Sequence, residues 1–147
     1  MSLEQYDLKS DEIFMSFEFI SEGPKGRIVK LIQFTRFGED EIYNLAFGDK
    51  NIETEDINDA IITDNKDREK VLATVVASIF TFTTWYPHAW VFIEGSTDSR
   101  TRLYQIAISI YFEELTTHFH IFGYFDNKWI EFKKNQNYTA FLIKKKS

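Results

Sequence analysis

The sequence of 147 residues contains no cysteine. Disulfide bonds, thiol nucleophiles and thiolate-bound metal sites are therefore excluded. No uninterrupted apolar run approaches the length that a membrane-spanning helix needs. The first residues carry neither the basic region nor the apolar core of a secretory signal. We therefore expect a soluble cytoplasmic protein that has no membrane partner.

Several nucleotide-binding and metal-binding signatures are also missing. The chain has no Gly-x-Gly-x-x-Gly or Walker loop, and the acids of Gly48–Asp64 lack the order of an EF-hand. Glu94–Thr97 does not match the Gly-x-Ser-x-Gly nucleophile elbow. His118 and His120 are predicted to share the face of one strand, but a metal needs three or four ligands and His88 is distant. We therefore expect no metal and no cofactor.

Acidic residues outnumber basic ones by 23 to 17, which gives a net charge of −6. The acids concentrate between Glu39 and Glu69, whereas lysines gather at the end of the chain. A protein of this charge is repelled by phosphate backbones, so we expect no nucleic-acid partner. The final lysines are typical of a solvated strand edge instead.

The spacing of apolar residues predicts three antiparallel strands in the first third of the chain. These strands are predicted at residues 13–20, 27–37 and 42–47. Alternation places one set of side chains on a common face of the first and third strands: Ile13, Met15, Phe17, Phe19, Tyr43, Leu45 and Phe47. The acidic connection at Gly48–Asp64 follows, with an apolar group at Ile57, Ala60, Ile61 and Ile62.

Helical spacing replaces the strand pattern near Asn65. Apolar residues recur at intervals of four in two adjacent rows, which predicts a helix from Asn65 to Trp85 that ends before Pro87. The core-facing residues of this helix are predicted to be Val71, Leu72, Val75, Val76 and Ile79. A second helix is predicted from Leu103 to Thr116.

The remaining patterns complete the predicted fold. Strands are predicted at 91–93 between the helices, and at 119–125, 129–133 and 140–144 after them. The order is then βββ-α-β-α-βββ, which indicates the α+β class with two helices packed on a mostly antiparallel sheet. A chain of this length can bury a core without cross-links, so we predict a single domain over residues 1–147.

The segment Glu94–Tyr104 lies where the strand between the helices passes into the second helix. Its glycine permits a tight turn, and the serine and threonine that follow are residue types that cap helix N-termini. Free N–H groups at a helix start, with arginines nearby, can hold an anion. The predicted anion ligands are Ser96, Thr97, Arg100 and Arg102.

A purely structural interpretation of the same segment stays open. Asp98 alone satisfies the helix dipole, and Glu94 can pair with Arg100 or Arg102. At about 100° per residue, Arg100 lies about 60° from Leu103 on a helical wheel and Arg102 about 260° from it. The two guanidinium groups are then roughly 160° apart, so they do not easily grip one small anion. Arg100, on the apolar side, is predicted to be the better ligand and the partner of Glu94.

Four segments carry a resemblance to a known family. They are Asp67–Val75, Gly95–Thr97, Arg100–Gln105 and Tyr138–Leu142. In these segments the chain resembles a family of short bacterial proteins, of the Bacteroidetes type, that is known only as a domain of unknown function. The resemblance spans nearly the whole chain and implies a single-domain bacterial cytoplasmic protein. It implies no activity, because no catalytic residue, ligand or partner is assigned to the family.

Two classes of function remain open. The first is a non-enzymatic binding module that meets a protein partner through an aromatic-rich sheet face or the acidic connection at Gly48–Asp64. The second is an enzyme or sensor for a phosphorylated small molecule or nucleotide, which acts at the helix start, Ser96–Arg100. The sequence favours the first class, because no acid–base or nucleophile set is recognisable. The aromatic run Trp85–Trp90 is predicted to fill a helix-to-strand corner of the core, and the lining of a pocket or partner surface is the alternative.

Overall fold

A computed structural model describes residues 4–58 and 62–147. Residues 59–61, which include the predicted apolar positions Ala60 and Ile61, lie outside the described residues. Within the described ranges the chain forms nine strands and three helices. The strands are β1 (Lys9–Ser10), β2 (Ser16–Gly23), β3 (Gly26–Arg36), β4 (Ile42–Lys50), β5 (Ile57–Asn58), β6 (Trp90–Ile93), β7 (Phe119–Phe125), β8 (Lys128–Glu131) and β9 (Phe141–Lys145). The helices are α1 (Arg68–Trp85), α2 (Asp98–Ile110) and α3 (Phe112–His118).

The strands pair mostly antiparallel, so the predicted α+β class is confirmed. The order of elements differs from βββ-α-β-α-βββ in two respects. Strands β1 and β5 join the first group, and the predicted second helix is divided into α2 and α3. Both added strands have two residues, and a two-residue period cannot be seen over so short a length.

The chain divides into two compact units. Unit 1 comprises Met1–Thr35 and Ala46–Trp85, and unit 2 comprises Arg36–Leu45 and Tyr86–Ser147. Strand β4 therefore gives its first residues to unit 2 and its remaining residues to unit 1. The single domain over residues 1–147 stays a prediction.

In unit 1, β2 and β3 form a hairpin along the whole length of β2. Phe17 and Phe19 are buried, as the alternation predicts. The prediction is wrong for Ile13, which is 56% exposed, because residues 11–16 form a turn before β2 begins. The Asp11 carboxylate accepts two backbone N–H groups across this turn, at 3.0 and 3.2 Å.

Helix α1 is buried on nearly every side. All the predicted core-facing residues are buried: Val71, Leu72, Val75, Val76 and Ile79. Three hydroxyl side chains are buried as well, and they donate to carbonyls of the helix itself: Thr74, Ser78 and Thr83. The helix begins at Arg68 and not at Asn65, since the Asn65 side chain bonds to the β2–β3 hairpin.

In unit 2, hydrogen-bonded neighbours follow the order β4, β6, β9, β7 and β8. β4 and β6 run parallel, whereas the other pairs are antiparallel. Residues of β6, β7 and β9 alternate between a buried face and a more accessible face. The buried face holds Val91, Ile93, Phe119, Ile121, Phe141 and Ile143.

The helix predicted over residues 103–116 is interrupted at Tyr111. This residue has φ −101° and ψ 23°, which ends α2 before α3 begins. The apolar period continues across the break, so the pattern does not reveal it. His118 is consequently the last residue of α3, and the prediction that it shares a strand face with His120 is wrong.

Candidate functional site

Helix α2 starts with three of the predicted ligand residues in contact with one another. Thr97 is the N-cap, and its hydroxyl accepts the backbone N–H of Arg100 at 3.3 Å. The Arg100 guanidinium donates to the Ser96 hydroxyl at 2.7 Å. The structure thus brings Ser96, Thr97 and Arg100 together, with their polar groups bonded to each other. The pairing of Arg100 with Glu94 stays a prediction.

A groove of about 360 Å³ lies beside this helix start. Its lining contains the exposed carboxylates of Glu94 and Asp98 and the exposed guanidinium of Arg102. Arg102 is therefore the predicted ligand residue that faces the groove, while half-buried Arg100 belongs to the cap. Two carboxylates beside one guanidinium oppose a ligand that carries only negative charge.

Gly95 is required by a close approach between the end of β6 and the start of α2. A Cβ at this position would lie 2.3 Å from the backbone nitrogen of Thr101. The Gly95 N–H donates to the Thr101 hydroxyl at 3.1 Å, and this hydroxyl donates to the Thr97 carbonyl at 3.2 Å. The glycine therefore serves close packing, because its φ does not lie in the left-handed region.

Gln105 joins α2 to the loop that precedes β9. Its side chain donates to the Gln136 carbonyl at 2.7 Å and accepts the Tyr138 N–H at 3.1 Å. The Tyr138 ring in turn lies against Gly123, where a Cβ would be 2.3 Å from the ring. Sequence reasoning missed this part of the groove, because the loop and the helix are 33 residues apart along the chain.

Tyr104 is the buried aromatic residue of the same helix. Burial raises the pKa of the Tyr104 phenol well above its usual value, and the charge of Arg100 offsets part of this rise. The phenol therefore keeps its proton at neutral pH. A role as a general base at the groove is inconsistent with this environment.

The accessible face of the unit 2 sheet is a second candidate site, which we name the open face. Its aromatic residues are Phe37, Trp90, Phe92, Phe122, Tyr124 and Trp129. Phe92 lies between two neighbours, with ring centroids 5.8 Å from Phe37 and 6.2 Å from Trp129. The Tyr124 and Trp129 centroids are 5.0 Å apart. These contacts make one continuous aromatic patch.

Strand register orders the open face into rows. The central row crosses five strands and consists of Asn44, Phe92, Leu142, Phe122 and Glu131. Its three inner members are apolar and its two ends are polar. A neighbouring row places Lys144 and His120 beside Trp90. The open face therefore has an aromatic centre with a polar margin.

The sequence carried a partial signal for the open face. Trp90 and Phe92 are two residues apart, as are Phe122 and Tyr124, and this is the spacing of one strand face. The prediction that Trp85–Trp90 fills a corner of the core is wrong at both ends. Trp85 is 58% exposed. Trp90 is only half-buried, because adjacent residues of a strand point to opposite faces and the next residue, Val91, takes the buried face.

Unit 1 contains a buried charged cluster that the sequence did not indicate. The fully buried ammonium of Lys30 donates to the Asp49 carboxylate at 2.5 Å and to the Thr63 carbonyl at 2.8 Å. The Thr63 hydroxyl and N–H both donate to Asp49. These bonds satisfy the charges and fix the end of the acidic connection to β3 and β4.

Residues 2–146 match the model of a family described as a family of unknown function (DUF6934). The chain belongs to this family. The predicted resemblance to a domain of unknown function is therefore confirmed, while the bacterial origin stays a prediction. No curated protein and no solved structure matches the chain.

In this DUF6934 protein, the segments that carried the resemblance make specific structural contacts. The Asp67 carboxylate accepts hydrogen bonds from Tyr6 at 2.7 Å and from Ser21 at 2.5 Å. Thr101 and Gln105 belong to the segment at residues 100–105 and hold the two sides of the groove described above. The contacts of Asp67 and Gln105 each link an element to a distant part of its own unit.

Two further features of the DUF6934 protein bear on function. Across residues 4–58 and 62–147, no three His, Asp or Glu side chains are grouped so that they could hold a metal ion. Over the same ranges, none of the helices has both the length and the apolar character to cross a bilayer.

Proposed function

We propose that the protein is a non-enzymatic interaction module whose partner is another protein, bound on the open face. The observation that carries the proposal is the unbroken apolar centre of that face: Phe92, Leu142, Phe122, Tyr124 and Trp129. Scattered apolar residues on a surface are ordinary, but a contiguous patch indicates binding. Aromatic residues are also the side chains that dominate interface energies.

Charge favours a protein over a nucleic acid as the partner. A single-stranded nucleic acid needs aromatic platforms inside a positively charged groove. Unit 2 has nine acidic and nine basic residues, so it carries no excess of positive charge. The basic residues Lys144 and His120 lie on one side of the patch and the acidic residue Glu131 lies on another, so residues of both charge types border it.

The partner surface that suits the open face is apolar at its centre and polar at its edge. The central row spans five strands that are about 4.8 Å apart, so its length is about 19 Å. The polar ends of that row, Asn44 and Glu131, supply the hydrogen-bonding margin that protein interfaces have. A cytoplasmic location belongs to the same proposal, because a chain without cysteine gains nothing from an oxidising compartment.

Site-specific photo-crosslinking tests the proposal. A photoreactive residue replaces Trp129 on the open face or, as a control, Ile110 on α2 in the same unit. The two side chains have similar exposures, 39% and 45%. We expect a discrete protein adduct from position 129 only. With the purified partner, Trp129→Ala should weaken binding by at least about tenfold, as truncation of an interface aromatic does, and Ile110→Ala should not.

Three results would contradict this function. The first is the same set of adducts from positions 129 and 110, which would mean non-specific contact. The second is an adduct with RNA and not with protein. The third is unchanged affinity of the Trp129→Ala variant for the partner, provided that its thermal unfolding matches that of the parent.

A second candidate function is the binding of a phosphorylated small molecule or nucleotide at Ser96–Arg100. The adjacent groove favours it, since its volume of about 360 Å³ is in the range of small-molecule sites and Arg102 lines it. A ligand that binds only the folded state raises the melting temperature. Sugar phosphates and nucleotides, which carry hydroxyl or base groups beside the phosphate, should therefore raise the melting temperature for the parent and for Lys128→Ala. The same ligands should leave it unchanged for Arg100→Ala and Arg102→Ala.

A further inference from the structure

Residues 4–10 cover the outer edge of β2 in unit 1, and we name them the edge segment. Two of these residues form β1, with Lys9 opposite Glu18 and Ser10 opposite Phe17. Further along the same edge, the phenol oxygen of Tyr6 accepts the backbone N–H of Glu22 at 3.0 Å. A side chain thus takes the place of a strand partner there, beyond the part of β2 that pairs with β1.

A single residue supplies most of the attachment. The Tyr6 phenol donates to Asp67 at 2.7 Å, and the Tyr6 N–H donates to the Thr74 hydroxyl at 2.8 Å. The Tyr6 ring stacks on Phe19 with centroids 5.5 Å apart, and the Lys70 ammonium lies 4.3 Å from the ring centroid. The edge segment therefore fits its site through local contacts that any copy of the same segment can make.

The connection from the edge segment to β2 is strained. Phe14 has φ 57°, which is a left-handed conformation that bulky residues rarely adopt. The turn around it is short, with the Asp11 N–H donating to the Ser16 carbonyl at 3.0 Å. A stack between Phe14 and Trp85, with centroids 4.3 Å apart, opposes the strain. Short hinges under strain favour the exchange of segments between chains.

We infer that the edge segment exchanges between two copies of this chain, so that residues 4–10 of each copy cover β2 of the other. All contacts of the edge segment are the same in the monomer and in the exchanged dimer. The difference is that the hinge straightens in the dimer, which releases Phe14 from its left-handed conformation and separates it from Trp85. Exchange of an identical element is a route to dimers that needs no new interface. The exchanged residues belong to unit 1, and the exchange does not involve the open face.

The absence of cysteine permits a direct test of the exchange. Lys9→Cys and Glu18→Cys together place two thiols at opposed positions of β1 and β2. The protein is refolded at low and at high concentration, monomer and dimer are separated by size, and each fraction is oxidised and denatured without reductant. We expect the monomer fraction to give a closed single chain. The dimer fraction should give a covalently linked pair of chains.

The hinge variants isolate the strain. Trp85→Ala removes the ring stack that holds Phe14 in the monomer, so it should raise the dimerisation constant, which we define as the association constant of the exchanged dimer. In that background Phe14→Gly should lower the constant by about tenfold, because glycine adopts the left-handed conformation without cost and the stack is already absent. Trp129→Ala on the open face should have no effect on the dimer.

Four outcomes would overturn the inference. One is the absence of a dimer at every concentration in the parent and in Trp85→Ala. Another is a dimer fraction whose chains separate on denaturation, since its disulfides would then lie within each chain. A dimerisation constant that Phe14→Gly leaves unchanged in the Trp85→Ala background would exclude the hinge as its cause. Loss of the dimer in Trp129→Ala would assign it to the open face.

Discussion

The two units differ in what they bury and in what they present to solvent. Among its described residues, unit 1 buries six polar side chains: Ser21, Lys30, Asn65, Thr74, Ser78 and Thr83. Among the described residues of unit 2, Thr101 alone belongs to this group. Unit 2 presents more aromatic rings at its surface, since Phe37, Phe125 and Trp129 are exposed there, against Trp85 in the described part of unit 1.

Charge follows the same division. Unit 1 has 14 acidic and 8 basic residues, so the whole net charge of −6 belongs to it, whereas unit 2 is balanced. A buried polar group destabilises the fold unless its hydrogen-bond partners are in place. The stability of unit 1 is therefore sensitive to single substitutions. Half-buried aromatic rings contribute less to the stability of the fold than fully buried rings do. They can contribute more to the affinity of a complex, because a partner can still bury them. Stability should therefore depend mainly on unit 1, and binding on unit 2.

The largest effect is expected from Asp49→Ala in unit 1. Lys30 would then be buried without a counter-charge, and the free energy of unfolding should fall by about 3–5 kcal/mol in urea denaturation. Glu18→Ala is the control, because it breaks the partly exposed pair with Lys50 and should cost about 0–1 kcal/mol. Equal losses for both variants would contradict a special role for the buried cluster.

Leu72→Ala tests the core of the same unit. Leu72 is 1% exposed on α1, and truncation of a buried leucine lowers the free energy of unfolding by about 2–5 kcal/mol. Ile52→Ala, at an exposed position of unit 1, should change it by less than about 0.5 kcal/mol. A loss below about 1 kcal/mol for Leu72→Ala would mean that this face of α1 is not core.

Gly95→Ala should have a moderate effect in unit 2. The new Cβ would press on the backbone of Thr101, and the shift that relieves this contact should cost about 1–3 kcal/mol. Gly38→Asn is the control, since asparagine tolerates a positive φ and nothing lies within 4 Å of a Cβ there. Chemical denaturation of both variants decides whether close packing at Gly95 matters.

The smallest difference is expected between Arg100→Ala and Arg102→Ala. Arg100 is half-buried and bonded to Ser96, so its loss should cost about 1 kcal/mol, whereas exposed Arg102 should contribute close to zero. Thermal unfolding at matched ionic strength measures the two losses. Identical values would reduce the start of α2 to an ordinary capped helix.

The fold was predictable where a period persists over many residues. The rows of α1 and the alternation in Tyr43 and Leu45 each predicted a buried face, and those residues are buried. The break at Tyr111 was not predictable, because an apolar period does not record a local change of backbone angles. The turn before β2 was missed for a related reason, since Ile13 keeps the alternation although the strand has not begun.

The candidate sites divide in the same way. Ser96, Thr97 and Arg100 are close in sequence, so local chemistry was enough to group them. The contact of Gln105 with Tyr138 depends on where a distant loop returns to the helix. The pairing of Lys30 with Asp49 likewise requires knowledge that β3 and β4 are neighbours. Chemistry that depends on tertiary neighbours cannot be deduced from residue order alone.

The parallel pairing of β4 with β6 has a consequence during synthesis on the ribosome. Ile42 is opposite Trp90, so a long stretch of chain must be translated before the two strands can meet. At a translation rate of about 5–20 residues per second, roughly 2–10 s pass between the synthesis of β4 and that of β6. During that interval one edge of β4 has no strand partner, and the apolar residues Tyr43 and Leu45 lie in this unpaired stretch. Translation pauses after this strand should therefore extend the period in which the nascent chain depends on chaperones.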